Sequence, residues 1–183
     1  MVINETKLSG VVVIEPKIYE DNRGAFFESY NKNRYSETGI DKEFVQDNLS
    51  YSRKNVLRGL HFQNPVAQAK LVSVIKGEVL DIMVDIRTDS PTFKCWEGFI
   101  LSETNKRQIY IPEGFAHGYI VLSEEAYFHY KCTDFYSPEN EHCIRWDDPD
   151  INIKWKINNP VISDKDLNGL FLKDFNNEKL FKY

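Results

Sequence analysis

Short runs rich in Val, Ile, Phe and Tyr recur along almost the whole chain, separated by turn residues, and this rhythm constrains the fold more than any other feature. The runs cover residues 10–14, 25–30, 44–49, 71–75, 79–86, 99–101, 108–111, 119–122 and 127–132. β-branched and aromatic side chains pack well on a pleated, half-buried surface, so each run predicts a strand. Asp21-Asn22-Arg23-Gly24 predicts a turn, and Lys76-Gly77-Glu78 predicts a tight hairpin, which makes neighbouring strands antiparallel. Helix is the minor element. One short helix is expected over residues 31–38, closed by Gly39, and a second from Ser163, an N-cap ahead of Asp164 and Asp166. Many short strands with few helices predict an all-β sandwich or barrel, and the jelly roll is the version that encloses a small ligand between its sheets.

A chain of 183 residues is long enough for one domain with an apolar core, and residues 1–183 are read as that domain. Residues 171–183 carry no pattern that assigns them a role. The net charge of −5 lacks the broad basic field that nucleic acid or an anionic membrane needs, although one anionic ligand can still bind locally. The three cysteines are odd in number and lack paired zinc or redox spacing, so they read as free thiols in a reducing compartment. With no signal-peptide pattern and no apolar run of membrane-spanning length, the expected location is the cytoplasm.

The stretch Pro112-Glu113-Gly114-Phe115-Ala116-His117 has the PxGxxH form and resembles the second motif of the cupin superfamily. The first cupin motif offers HxH, then Glu, then Gly; the matching residues are His61, Gln63, Lys70 and Gly77. Gln63 is a poor substitute for imidazole, and Lys70 brings an ammonium where a carboxylate should neutralise a divalent ion. The expectation is a cupin-type jelly roll without a metal and without an organic cofactor. Retained His and gained Lys point instead to proton transfer beside a developing oxyanion.

Val56-Leu57-Arg58-Gly59-Leu60-His61-Phe62-Gln63 resembles the signature of the dTDP-4-dehydrorhamnose 3,5-epimerases, supported in order by DNRGAFFE, FVQDN, the run from Lys70 to Gly77, PEGFAHG, YKCT, IRWDDPD and SDKD. The resemblance implies an isomerase acting on a nucleotide-linked 4-keto-6-deoxy sugar, on the route to rhamnose-containing polysaccharide. It implies His61 as the base, Asp166 as the carboxylate that orients it, Lys70 as the holder of the enolate oxygen and Tyr130 as the acid on the other face. It further implies Arg23, Arg58 and Lys165 for the diphosphate, Glu28, Gln46 and Asn48 for the nucleoside, and Phe26 and Tyr136 for base stacking. His117 and Glu141 are implied as further pocket residues, and a homodimer with shared sites as the assembly. Read alone, His61 is a structural histidine and Lys70 a solvated residue at a strand start; the motif around each reverses that reading. Tyr130 lies among Tyr127, Phe128 and His129, at least one of which belongs to the core. Three alternatives stay open: a 3-epimerase using the same residues, a non-catalytic sugar-binding cupin, and a metal-dependent cupin oxygenase. Ala69 departs from the Gly expected before the lysine and adds a methyl near the pocket.

Overall fold

The computed structural model describes residues 1–183. In chain order the strands are β1 (Val2–Glu5), β2 (Val12–Glu15), β3 (Ile18–Asp21), β4 (Gly24–Phe27), β5 (Gln46–Arg53), β6 (Leu57–Gln63) and β7 (Lys70–Lys76). They continue with β8 (Glu78–Asp85), β9 (Trp96–Ser102), β10 (Gln108–Ile111), β11 (Phe115–Val121), β12 (Glu125–Cys132) and β13 (Glu141–Cys143). Two short helices, α1 (Lys32–Ser36) and α2 (Asp164–Leu167), complete the set. Six strands pair in the order β1-β2-β10-β7-β12-β5 and five in the order β13-β6-β11-β8-β9, while β3 and β4 form a separate hairpin. The two large sheets face each other as a jelly-roll sandwich of the expected all-β class.

Alternation decides what each sheet presents to the other. On β8, Val79 and Met83 meet Val72 and Val74 of β7 and Phe128 of β12 between the sheets. Leu80, Ile82 and Val84 point the other way, into a cluster with Leu57, Leu60, Phe62 and Trp155. Burying both faces of β8 explains why its sequence reads as a nearly continuous apolar run. A third cluster, on the outer face of the six-stranded sheet, joins Ile14, Leu71 and Tyr110 to Tyr35 of α1.

Both helices start where their caps predict. The Asn31 side chain accepts from Arg34 N, and the Ser163 side chain accepts from Asp166 N. The Asp21–Gly24 turn is likewise present, linking β3 to β4. The tight hairpin expected at Lys76-Gly77-Glu78 is not formed: β7 pairs with β10 and β12, whereas β8 pairs with β11 and β9. Gly77, at φ +82°, instead turns the chain from one sheet into the other, and a Cβ there would run into the Glu125 carbonyl. β6 is a strand that the hydrophobic rhythm did not mark, because polar side chains occupy its inward positions.

Residues 171–183 pack onto the five-stranded sheet. Leu172 and Leu180 are buried in the second cluster, and Phe175 and Phe181 lie against Phe62. Ala69 is fully buried among Tyr35, Ile40 and Leu71 on the outer side of the six-stranded sheet, so its methyl stays out of the cavity described next. No helix is long and apolar enough to cross a membrane.

Candidate active site

Between the sheets lies a cavity of about 360 Å³, large enough for a small organic ligand. One wall is built by β6 and β11, whose register sets His61 directly opposite His117. The alternation of β6 breaks at Gly59, where φ is +113° and a Cβ would lie 2.6 Å from both Gly118 Cα and the His117 carbonyl oxygen. Only glycine allows that approach. It also turns the Gly59 N–H toward Asp166 Oδ2, 3.1 Å away, while His61 Nε2 lies 2.7 Å from Asp166 Oδ1.

Asp166 arrives on α2 with its side chain almost fully buried. Burial alone would raise its pKa, but the bonds from His61 and Gly59 prevail and hold the carboxyl below its ordinary value. A carboxylate only accepts, so His61 donates through Nε2, and in the neutral ring Nδ1 keeps the lone pair. His117 Nε2 similarly donates to Asp81 Oδ1 at 2.7 Å.

The facing wall comes from the six-stranded sheet. Period-two alternation turns Gln46, Asn48 and Ser50 of β5 and Phe128, Tyr130 and Cys132 of β12 inward, with Asn48 opposite Tyr130 and Lys70 of β7 opposite Cys132. Burial pushes the Tyr130 phenol up to about 12, helped by Cys132, Tyr119 and Glu141 and opposed by Arg58, so it enters neutral solution as O–H. Burial lowers the pKa of Lys70, opposed by the charges of Cys132, Glu141 and Asp81. At the rim, Glu141 accepts from Tyr136 Oη at 2.7 Å and from Lys165. Arg58 is braced by Ser52 Oγ and the Tyr51 carbonyl.

Of the residues anticipated from sequence, Gln46, Asn48, Arg58, His61, Lys70, His117, Tyr130, Tyr136 and Glu141 line the cavity. Asp166 stands immediately behind His61, and Lys165 reaches the rim through Glu141. Arg23, Phe26 and Glu28 are not brought there. Arg23 pairs with Asp21 on the exposed β3–β4 hairpin, Phe26 is 70% exposed, and Glu28 accepts from Asn31 and Arg34. Ser50, Gln68, Tyr119, Phe128 and Cys132 also line the cavity and were not anticipated. The alternation that places Gln46 and Asn48 extends to Ser50, and that of Tyr130 to Phe128 and Cys132, so part of this was available from the strand period.

The residues at the cupin ligand positions do not suit a cation. Gln63 donates to the Val66 and Phe135 carbonyls and accepts from Ser137 N, which commits its amide to bracing loops. Lys70 adds positive charge. Behind His61, ligand atoms of Cys143 and Asp166 also come close, but burial and the Asp166 charge push the Cys143 thiol up to about 12, and both Asp166 oxygens are already bonded.

Residues 5–174 match the family model described as dTDP-4-dehydrorhamnose 3,5-epimerase. The chain belongs to the dTDP-4-dehydrorhamnose 3,5-epimerase family. It is 54% identical over 171 residues to the dTDP-4-dehydrorhamnose 3,5-epimerase of Shigella flexneri, covering 92% of this chain and 94% of that one. It is 49% identical over 173 residues to the enzyme of the same description from Methanothermobacter thermautotrophicus, covering 93% and 94%. The dTDP-6-deoxy-D-glucose-3,5-epimerase of Legionella pneumophila, solved in complex with dTDP-4-keto-L-rhamnose, superposes with a TM-score of 0.97 at 52% identity over 100% of this chain and 98% of that one. All the cavity-lining residues fall inside the segment matched to the 3,5-epimerase family, which leaves out residues 1–4 and 175–183.

Proposed function

We propose that this chain converts dTDP-4-keto-6-deoxy-D-glucose to dTDP-4-keto-L-rhamnose, inverting carbons 3 and 5 in dTDP-L-rhamnose biosynthesis. The observation that carries the proposal is the placement of His61 on one sheet, backed by the buried carboxylate of Asp166 on α2, and of a protonated phenol on the other sheet, across a single cavity. Each target carbon lies next to the ketone. Breaking its C–H bond sends the proton to His61 Nδ1 and the electron pair to the ketone oxygen, forming an enolate. Asp166 stabilises the resulting imidazolium, and the Lys70 ammonium stabilises the enolate oxygen. Tyr130 then delivers its phenolic proton to the opposite face as the enolate collapses, which inverts the centre. Solvent returns the phenolate and imidazolium to their starting states. No electron leaves the sugar, so the reaction calls for no redox cofactor.

Arg58 is proposed to hold the diphosphate, with Lys165 assisting, because a guanidinium fork suits phosphate oxygens. Gln46 and Asn48 are assigned to the nucleoside, Tyr136 to its base, and His117 and Glu141 to the sugar end. Arg23, Phe26 and Glu28 are assigned to the site of a second copy, giving a homodimer with shared sites. Leu49, Tyr51 and Ile75, exposed together on the outer face of the six-stranded sheet, support such an interface. The three unpaired thiols support a cytoplasmic, reducing location.

Proton exchange tests the reaction. In deuterated water with dTDP-4-keto-6-deoxyglucose, NMR should show deuterium entering at carbons 3 and 5, and His61→Asn should stop both. Exchange at carbon 3 alone would reassign the protein as a 3-epimerase, and exchange at neither would reject the proposal.

A further inference from the structure

Behind the main cavity lies a small lobe that the reaction just described does not use. It holds about 10 Å³, room for one water molecule at most, and shares Phe62, Gln63, Gln68, Lys70 and His117 with the main cavity. Strand pairing places the lobe at one end of the sandwich. β10 ends at Ile111 opposite Lys70, where β7 begins, and Asp85, the last residue of β8, faces Phe115, the first of β11. Phe115 lines the far side of the lobe together with Phe181, which comes from the C-terminal tail.

The tail is fastened across this end from both sides. Thr88 donates to the Phe181 carbonyl through N at 2.8 Å and through Oγ1 at 3.2 Å. Asn64, the residue after the strand that carries His61, donates through Nδ2 to the Lys179 and Leu180 carbonyls at 3.0 and 3.2 Å. Phe181 is only partly buried, so its ring has one side on the lobe and another on solvent. Packing against Phe62, at 6.2 Å between ring centres, does not require the ring to border Lys70 and His117 as well. The Gln63 and Gln68 amides are committed to the carbonyls of Val66, Phe135 and Asp134, so water entering the lobe would reach the Lys70 side chain. The attraction between an ammonium and a developing enolate oxygen weakens as the surrounding dielectric rises, and a dry barrel end therefore strengthens it.

We infer that Phe181 is a positioning residue for the epimerisation: its ring plugs the end of the barrel behind Lys70 and keeps water away from the cation that meets the enolate oxygen. The tail, which lies outside the segment matched to the family, thereby completes the wall of the active site. The inference rests on the reading that Lys70 holds the enolate oxygen.

The test is a series of variants at residue 181, assayed by NMR turnover of the 4-keto sugar. Leucine keeps the space largely filled, whereas valine and alanine open it in steps. Phe181→Leu should hold kcat within about twofold, Phe181→Val should lose about threefold and Phe181→Ala about tenfold, with KM nearly unchanged throughout. Leu172→Ala controls for lost stability, because Leu172 is buried under the same tail and lines neither the cavity nor the lobe. It should lower the thermal midpoint and leave kcat within about twofold. A flat kcat across the residue-181 variants, a loss carried by KM, equal losses for leucine and alanine, or the same loss in Leu172→Ala would overturn the inference. Should Phe181→Ala not fold, the comparison of Phe181→Leu with Phe181→Val makes the same decision. Lys70→Met separates the two layers: if it turns over like the wild type, the reading of Lys70 fails and the inference with it; if it is inactive while the residue-181 series is flat, only the plug fails.

Discussion

His61 and Asp166 are 105 residues apart in sequence and 2.7 Å apart in space, and the oxygen of Asp166 that His61 does not use is taken by the Gly59 backbone N–H. One carboxylate therefore orients the ring and anchors the strand that carries it. Asparagine replaces one of the two accepting oxygens by an NH2 group, which would face His61 Nε2–H or the Gly59 N–H donor to donor. Asp166→Asn is accordingly expected to lower kcat by about a hundredfold or more while changing KM little, with the loss measured by NMR turnover of the 4-keto sugar. Near-normal kcat would remove Asp166 from the catalytic assignment.

Tyr130 and His61 stand on opposing sheets, which separates proton removal from proton return. Tyr130→Phe should leave His61 able to abstract a proton, exchange it with solvent and replace it on the same face. In deuterated water this variant is expected to incorporate deuterium while the yield of inverted product falls roughly a hundredfold. Because burial holds the phenol at about 12, Tyr130 remains protonated throughout the neutral and moderately alkaline range and should contribute no alkaline limb below that value. Inversion at the wild-type rate would assign the acid elsewhere.

Gly59 and Gly118 allow β6 and β11 to approach at the point where His61 and His117 face each other. A methyl at residue 59 would meet backbone on the neighbouring strand at 2.6 Å and would also sit at a φ that side chains avoid. Gly59→Ala should cost about 2 to 4 kcal/mol, seen as a lower thermal midpoint, and should disturb the His61–Asp166 geometry enough to depress activity in whatever protein folds. An unchanged melting curve would show that the strands can part without cost.

The outer dimensions of this fold were legible because alternation and turn chemistry are local. Residues 108–111 read as a strand and form one, and Asn31 and Ser163 cap the helices expected of them. What local reasoning misjudged was partnership. Lys76-Gly77-Glu78 reads as a hairpin because a glycine turn between two apolar runs looks the same whether the second run folds back or enters another sheet; that choice depends on pairing with β10 and β11, far away in sequence. β6 was hidden because a cavity reverses the usual rule, replacing inward apolar residues by Arg58, His61 and Gln63. Family motifs identified those residues where periodicity did not. Neither route shows that the buried Asp81 Oδ2 has no hydrogen-bond partner, since one Asp in an apolar strand reads alike whether it is satisfied or not.

Asp85 offers a stability prediction independent of catalysis. Its fully buried carboxylate accepts from Arg87 N, Nε and Nη2, from Ser90 Oγ and from Thr92 Oγ1, at 2.6 to 3.0 Å. Burial opposes ionisation, but those donors together hold the carboxyl below its ordinary value. Arg87 is in turn stacked between Phe115 and Tyr183, at 4.5 and 4.8 Å from the ring centres, so the cluster also fastens the C-terminal tail. A carboxyl whose folded pKa is depressed contributes stability that is complete above its unfolded value, about 4, and disappears as pH falls through the folded one. Asp85→Asn should therefore destabilise the protein by about 3 kcal/mol at pH 7, because it leaves a mostly buried guanidinium without its counter-charge. Urea unfolding of both proteins at pH 7 and again near pH 3 measures the difference. It should shrink in acid, where protonation progressively removes the wild-type advantage, and a gap that stays constant with pH would mean that the Asp85 charge is not what holds the cluster together.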